Sequence, residues 1–261
     1  MSTFATPGPI TAEIIIQSGS ARITAEERDS TTVEILPASP GKKSDLEVAE
    51  ATRVHFGDGR LEVRSPKAHI GLFSKPGTIE VIVRMPTGSV VRADTAYGDI
   101  DVDGELAECR LKSSYGDLRA EAAIVLRMES GYGDVTARRL IGDTEFSVGW
   151  GKVEVDDVSA PLRVKTSGDV RLHRVSANVQ AHTGYGHVTV DEATGGSLDL
   201  ATSYGRIEVG VARGAATYLE LNTSHGRVRN ELVPSDKATD DTATVEIRAR
   251  TSYGDITIRR R

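Results

Sequence analysis

The chain has 261 residues, enough for one large domain or two ordinary ones with a full core. Aromatic residues are only 5% of it, whereas Gly (26 residues), Val, Ile and Thr run throughout, favouring β structure with many tight turns over a helix bundle. A net charge of −6 with the two signs interleaved lacks the electrostatic footprint of a nucleic-acid binder, and the one cysteine, Cys109, excludes an intrachain disulfide framework.

In chain order, residues 1–19 contain no basic segment followed by a long apolar one, and Ile14-Ile15-Ile16 is too short for a signal or a membrane span. This predicts a cytoplasmic protein without membrane insertion, with the cell surface as the alternative if another export route operates. Strand-like runs follow at 12–16, 20–25, 31–36, 52–56, 60–64 and 78–84, punctuated by Pro37, Pro40, Pro66, Pro76 and Pro86. Within them "SGSARIT" (18–24) and "GDGRLEV" (57–63) read as degenerate versions of a repeat that becomes regular further on. Residues 1–90 are therefore expected to form an N-terminal β cap and first degenerate coils, continuous with the repeats of 91–261.

The repeat is marked by Gly98, Gly116, Gly133, Gly151, Gly168, Gly186, Gly205, Gly226 and Gly254, at intervals of 18, 17, 18, 17, 18, 19, 21 and 28 residues. A period near 18 holds two short strands and two turns, too little for a unit with a crossover helix. Two residues after each glycine stand Ile100, Leu118, Val135, Val153, Val170, Val188, Ile207, Val228 and Ile256, all aliphatic. The column two further on is broken only by Asn230. Before the glycine, alternate positions carry residues such as Cys109, Leu111 and Ser113, or Leu198, Leu200 and Thr202, so a second strand buries one face there. The "TSGDV" coil fits if it has lost its aromatic position, which places Leu162, Val164 and Thr166 in those columns. The hydroxyl column (Thr95, Ser113, Ser130, Thr183, Thr202, Thr223, Thr251), broken by Val148, reads as a bonded ladder at a corner.

The fold expected is all-β, a right-handed parallel β-solenoid or β-helix of about 18-residue coils with an N-terminal β cap. If successive coils stack, Asp101–Arg119, Glu154–Arg171 and Glu208–Arg229 meet as outward pairs. Residues 230–243 read as a polar surface insertion, and Arg259-Arg260-Arg261 as a solvated basic end.

The opening "FATPGPI", the step from Val83 to Ser89 ("VRMPTGS") and the recurring Gly-Asp turns resemble a bacterial β-strand-repeat family of unknown function, common in actinobacteria and labelled as candidate adhesins. The resemblance spans nearly the whole chain. It implies the solenoid fold, and its label implies a surface-exposed binding protein.

Four groups of residues are weighed for chemistry. The position after the glycine reads Asp99, Asp117, Asp134, Lys152, Asp169, His187, Arg206, Arg227 and Asp255. Basic residues or His on four rungs argue against a calcium stack, and the aspartates are expected to accept hydrogen bonds from their own turns. Whether Asp99, Asp117 and Asp134 hold a cation is left open. An aromatic column comprises Tyr97, Tyr115, Tyr132, Trp150, Tyr185, Tyr204 and Tyr253, with His225 substituting once. It is either a ladder that packs the corner or an edge that stacks on sugar rings or docks a partner. His173, His182 and His187 lie on neighbouring coils without a completing ligand set, so no metal is assigned. Cys109 reads as a small core residue. No Ser–His–Asp arrangement, phosphate loop or paired-carboxylate groove emerges, so no catalytic residue and no cofactor is assigned. The reading is a non-enzymatic scaffold or protein-interaction module that binds a protein or its own copies. The alternative is an adhesin-like or carbohydrate-binding surface using the Tyr/Trp edge.

Overall fold

The computed structural model describes residues 1–66, 77–232 and 244–261. Pro76 and residues 233–243 of the expected insertion lie outside the described residues. The chain divides into two compact units, 1–133 and 134–261.

In the first unit the long apolar alternation of residues 11–26 forms one strand where two runs were expected. The strands are β1 (Ser2–Ala5), β2 (Thr11–Glu26) and β3 (Ser30–Pro37), then β4 (Arg53–Gly57) and β5 (Arg60–Arg64). They continue with β6 (Ile79–Pro86), β7 (Val90–Tyr97), β8 (Ile100–Tyr115) and β9 (Leu118–Tyr132). The first half of β2 pairs in parallel with β5 and β7, and its second half with β6 and β8. One strand thus serves both ladders of the stack, bending at Gly19, so "SGSARIT" does hold the corner of a coil. The "GDG" stretch divides its duties. Asp58 (φ 50°) and Gly59 (φ 71°) make the two-residue turn of the antiparallel β4–β5 hairpin, while β5 joins the parallel ladder. Antiparallel pairing also joins β1 to β3 and β3 to β6.

A helix, α1 (Lys43–Ala51), stands in a stretch for which no element was expected. Its anchor is Asp45, 1% exposed, whose carboxylate accepts the Thr78 amide at 3.0 Å and meets Lys42 Nζ at 2.8 Å.

The second unit contains two parallel ladders with residue-for-residue register. One is built from β10 (Val135–Leu140), β12 (Val153–Val158), β14 (Val170–Val175), β16 (Val188–Ala193) and β18 (Ile207–Val211). The other is built from β11 (Thr144–Trp150), β13 (Leu162–Thr166), β15 (Val179–Thr183) and β17 (Gly196–Tyr204). Leu162, Val164 and Thr166 fall opposite Val179, Ala181 and Thr183, as the one-residue deletion requires. Inward columns fill the space between the ladders, and Val153, Val155, Val188, Leu198 and Ile207 are fully buried. These are the two faces of a β-solenoid repeat.

The last coils do not stack in sequence order. The strands are β19 (Ala216–His225), β20 (Val228–Asn230), β21 (Thr244–Tyr253) and β22 (Ile256–Arg260). β21 pairs with β17 on one side and β19 on the other, and β22 lies likewise between β18 and β20. The coil of 244–260 is therefore inserted beneath the earlier coil of 216–230. The expected Glu208–Arg229 pair does not form, because Thr257 stands opposite both residues. Polarity explains the order. Ile247, Ala249, Ile256 and Ile258 are wholly buried, whereas Val228 is 45% exposed and Asn230 faces solvent in the outer coil. A polar residue in a core column costs little only at the end of the stack.

The corner column explains the glycines. A Cβ on Gly98 would overlap the carbonyl of Gly19, and the same relation links Gly116 to Gly98 and Gly133 to Gly116. In the second unit it links Gly168 to Gly151, Gly186 to Gly168, Gly205 to Gly186, Gly254 to Gly205 and Gly226 to Gly254. Left-handed backbone is not the shared requirement: Gly98 has φ 141°, but Gly168, Gly186, Gly205 and Gly226 are outside that region. Space is. The hydroxyl column is bonded at the corner, as expected from sequence, and its acceptors are these same carbonyls in the neighbouring coil. Ser113 donates to Gly98 at 3.1 Å, Thr183 to Gly168 at 2.6 Å, Thr202 to Gly186 at 2.9 Å and Thr251 to Gly205 at 3.0 Å.

Replacing Gly116 with Ala is expected to lower stability by about 1–3 kcal/mol through overpacking. The Gly8→Ala change, where nothing lies within 4 Å, is expected to stay within about 0.5 kcal/mol. Thr202→Val should cost about 1–3 kcal/mol by leaving the Gly186 carbonyl without its donor. Denaturant midpoints of the four proteins check all three values.

Candidate functional site

A strand that ends at a glycine corner projects its last side chain sideways from the stack, and this is where the aromatic column lies. In the first unit Tyr97, Tyr115 and Tyr132 form one stack, with centroids 5.2 and 5.1 Å apart and planes within 5°. In the second, Trp150, Tyr185, Tyr204, Tyr253 and His225 form another, with successive centroids at 5.9, 5.5, 5.0 and 4.5 Å. Tyr253 sits between Tyr204 and His225 because its coil is inserted there. Trp150 and Tyr185 belong to coils separated by β13, whose corner lost its aromatic position, and their rings close that gap by meeting directly.

All seven predicted site residues are thus placed along two edges, and every one is 48–63% exposed. The rings stack on each other and do not pack into the corner. Their faces are occupied by neighbouring rings, while ring edges and hydroxyls point to solvent. Among the described residues Tyr97 stacks on a ring on one side alone: on the other, the residue in register is Ser18, whose hydroxyl lies 3.2 Å from that of Thr78.

Four of the aspartates after the glycines cap amides of the neighbouring coil, where bonds to their own turns were expected. Asp99 accepts the Asp117 amide at 2.8 Å, Asp134 that of Lys152 at 2.7 Å, Asp169 that of His187 at 2.7 Å and Asp255 that of Arg227 at 2.8 Å. His187 serves the same purpose with its Nδ1, accepting the Arg206 amide at 3.1 Å. These side chains act as backbone caps from rung to rung.

A charged network that no sequence pattern disclosed covers the outer face of β12, β14 and β16. His173 places Nδ1 2.8 Å from Asp191 and Nε2 2.9 Å from Glu154. Lys152 bonds Glu154 at 2.6 Å, and Arg171 bonds Asp191 at 3.1 Å. Arg171 stands opposite Glu154 in register, as expected, but turns to the opposite neighbour. The Asp101–Arg119 pair does form, at 3.3 Å. Of the last three arginines two are bonded to the chain, although Arg261 stays exposed. Arg260 donates to the Ala212 and Ala215 carbonyls, and Arg261 lies across Gly210, where a Cβ would obstruct it, to reach the Asp191 carbonyl. His182 and His187 take no part in the network around His173. Among the described residues no group of three or more His, Cys, Asp or Glu is arranged to hold a metal ion. Cys109 is fully buried, and burial pushes its thiol above the ordinary range, in keeping with a core role.

The Lys152 and His173 hydrogen bonds hold the Glu154 carboxyl below its ordinary value. At Asp191 burial acts in the opposite direction, and the Arg171 and His173 bonds outweigh it. Groups depressed in the folded state stabilise above their unfolded range and lose that contribution as the pH falls through the folded value. The melting-temperature gap between the wild type and Glu154→Gln should therefore be open at about pH 6 and narrow as the pH falls well below the ordinary carboxylate range of about 4.

The Toastrack DUF4097 family model matches residues 11–259 of the chain. No curated protein matches it. Among solved structures, a candidate adhesin from Bacteroides fragilis is 12% identical, with 98% of this chain and 95% of that one covered and a TM-score of 0.43. A candidate lipid-binding protein from Parabacteroides distasonis is also 12% identical, with 97% and 95% covered and a TM-score of 0.47. A candidate cell-adhesion protein from Clostridium sporogenes is 13% identical, with 100% and 98% covered and a TM-score of 0.21.

Proposed function

We propose that this chain, which belongs to the Toastrack DUF4097 family, is a non-enzymatic scaffold that binds protein partners along the aromatic edges of its two units. The family is one of unknown function and indicates no catalytic activity. The observation that supports the reading is the state of the rings: half-exposed, coplanar and fixed about 5 Å apart by the coils that carry them. Tyrosine and tryptophan offer large contact area with few side-chain torsions to order, which suits them to protein interfaces. Their exposed parts are edges and hydroxyls, which contact a protein surface well and offer a sugar face little to stack on.

The second reading, an adhesin-like surface that binds glycans, is favoured by one observation, the face of Tyr97 that stacks on no ring, beside the Ser18 and Thr78 hydroxyls. It confines the sugar site to a stack end. Among the described residues no helix is long and apolar enough to cross a membrane. The scaffold is placed in the cytoplasm on the sequence reading, and protease shaving of intact cells tests that placement.

Changing Tyr115, Tyr132 and Tyr204 together to Leu should leave the circular dichroism spectrum largely intact. Capture of the partner recovered by cross-linking in the native cell should fall at least about tenfold, the loss of one or two interface anchors. Unchanged capture by the triple variant refutes the edge as the contact surface. Retention on a glycan array that is lost on Tyr97→Ala, but not in the triple variant, favours the sugar reading instead.

A further inference from the structure

The out-of-order coil creates a slot with two walls. β17 and β18 form one wall, β19 and β20 the other, and residues 244–260 fill the space between them. The hydroxyl and ring contacts that recur between coils are made on both sides of this segment, and the amide cap on its outer side. Thr251 donates to the Gly205 carbonyl at 3.0 Å, and Thr223 to the Gly254 carbonyl at 2.9 Å. Tyr253 is sandwiched between Tyr204 and His225, and the Arg227 amide bonds Asp255 at 2.8 Å. The outer wall is held by this segment: β19 and β20 pair with β21 and β22 and with no other strand among the described residues. Moving that wall therefore breaks one coil interface, where extracting an interior coil would break two.

We propose that this slot is a strand-exchange interface, filled by the chain's own 244–260 in the monomer and by the same segment of a second copy in a dimer. The occupant is specified by the slot. It must carry a hydroxyl, an aromatic and a glycine at the corner, inward aliphatics on both strands, and an acceptor after the glycine, and 244–260 carries all of them. In the exchanged dimer each coil–coil contact is identical to that in the monomer, so the two forms differ chiefly in the cost of association; thirteen residues, 231–243, separate β20 from β21. Those thirteen residues reach at most about 45 Å, ample to hand the coil to a neighbouring copy. Exchange is consequently governed by concentration. It is independent of the Tyr/Trp edge as a partner site, and of whether that partner exists.

Asp199 and Arg248 test it, because they are in register on neighbouring strands of the slot and both face outward. At about 4.8 Å between strands, cysteines there are within disulfide reach. Native Cys109 is buried and does not compete. Two full-length chains, one Asp199→Cys and one Arg248→Cys, are folded separately, mixed at dilute and at high concentration, and oxidised. A mixed-chain disulfide whose yield rises at least about tenfold with concentration is expected, while the double variant closes within one chain when dilute. If no mixed disulfide forms at any concentration, even after joint unfolding and refolding, while the double variant closes normally, the proposal is overturned. Light scattering on the unaltered chain gives a cysteine-free readout, decisive should the double variant not close: monomer throughout the same range overturns it. A dimer lacking the mixed disulfide when the double variant does close assigns self-association to another surface, and equally overturns the slot. Tyr115→Leu and Tyr132→Leu variants, whose rings make none of the slot's contacts, should exchange normally, which separates this outcome from failure of the partner-binding edge.

Discussion

The absence of a side chain at one corner position is what the rest of the structure depends on. Coils in parallel register bring each corner glycine against the carbonyl of the corner glycine beside it, so close that a methyl group has no room. Because that carbonyl is near, a Ser or Thr three residues before the next glycine, or two in the shortened coil of Gly168, can reach it, and the same corner is bonded as well as packed. From this spacing follow the coplanar rings one residue before the glycine and the amide caps one residue after it. Three columns of very different chemistry thus share one geometric cause, and none requires a ligand.

The surface is organised by a looser rule. Outward side chains alternate in sign along a ladder, but each long side chain chooses between the rung on either side, as Arg171 does in leaving Glu154 for Asp191. Most such pairs are half-exposed, where each contributes little. Around His173 the charges are linked through two carboxylates, and the face becomes a continuous network. These contacts tune stability with pH without defining the fold.

Sequence reading captured what repeats and missed what occurs once. The glycine, aliphatic and aromatic columns were legible because each coil restates them, and even the missing residue of "TSGDV" was deducible from its short interval. The identity of the bonding partner was not: a hydroxyl column looks the same whether it bonds to itself or to a carbonyl. The order of the last coils was also hidden, since 216–230 and 244–260 carry equivalent corner motifs. Asn230 was the only trace, a polar residue in a core column that fits an outermost coil. Helix α1 was masked by its surroundings of Pro and Gly, and its anchor is a buried carboxylate, Asp45, of a kind that local pattern does not announce.

Synthesis order and stacking order diverge at the top of the second unit. A ribosome adding about 5–20 residues per second delivers 216–230 some seconds before the 244–260 segment has emerged. Through that interval the earlier coil lacks its native neighbour, while the apolar edge of Ile207 and Leu198 stands open beside it. Docking the earlier coil directly there would be a kinetic trap, built from the same corner motif and relieved only by backing out. Native stacking therefore requires the earlier coil to stay undocked, or to back out, until 244–260 is available.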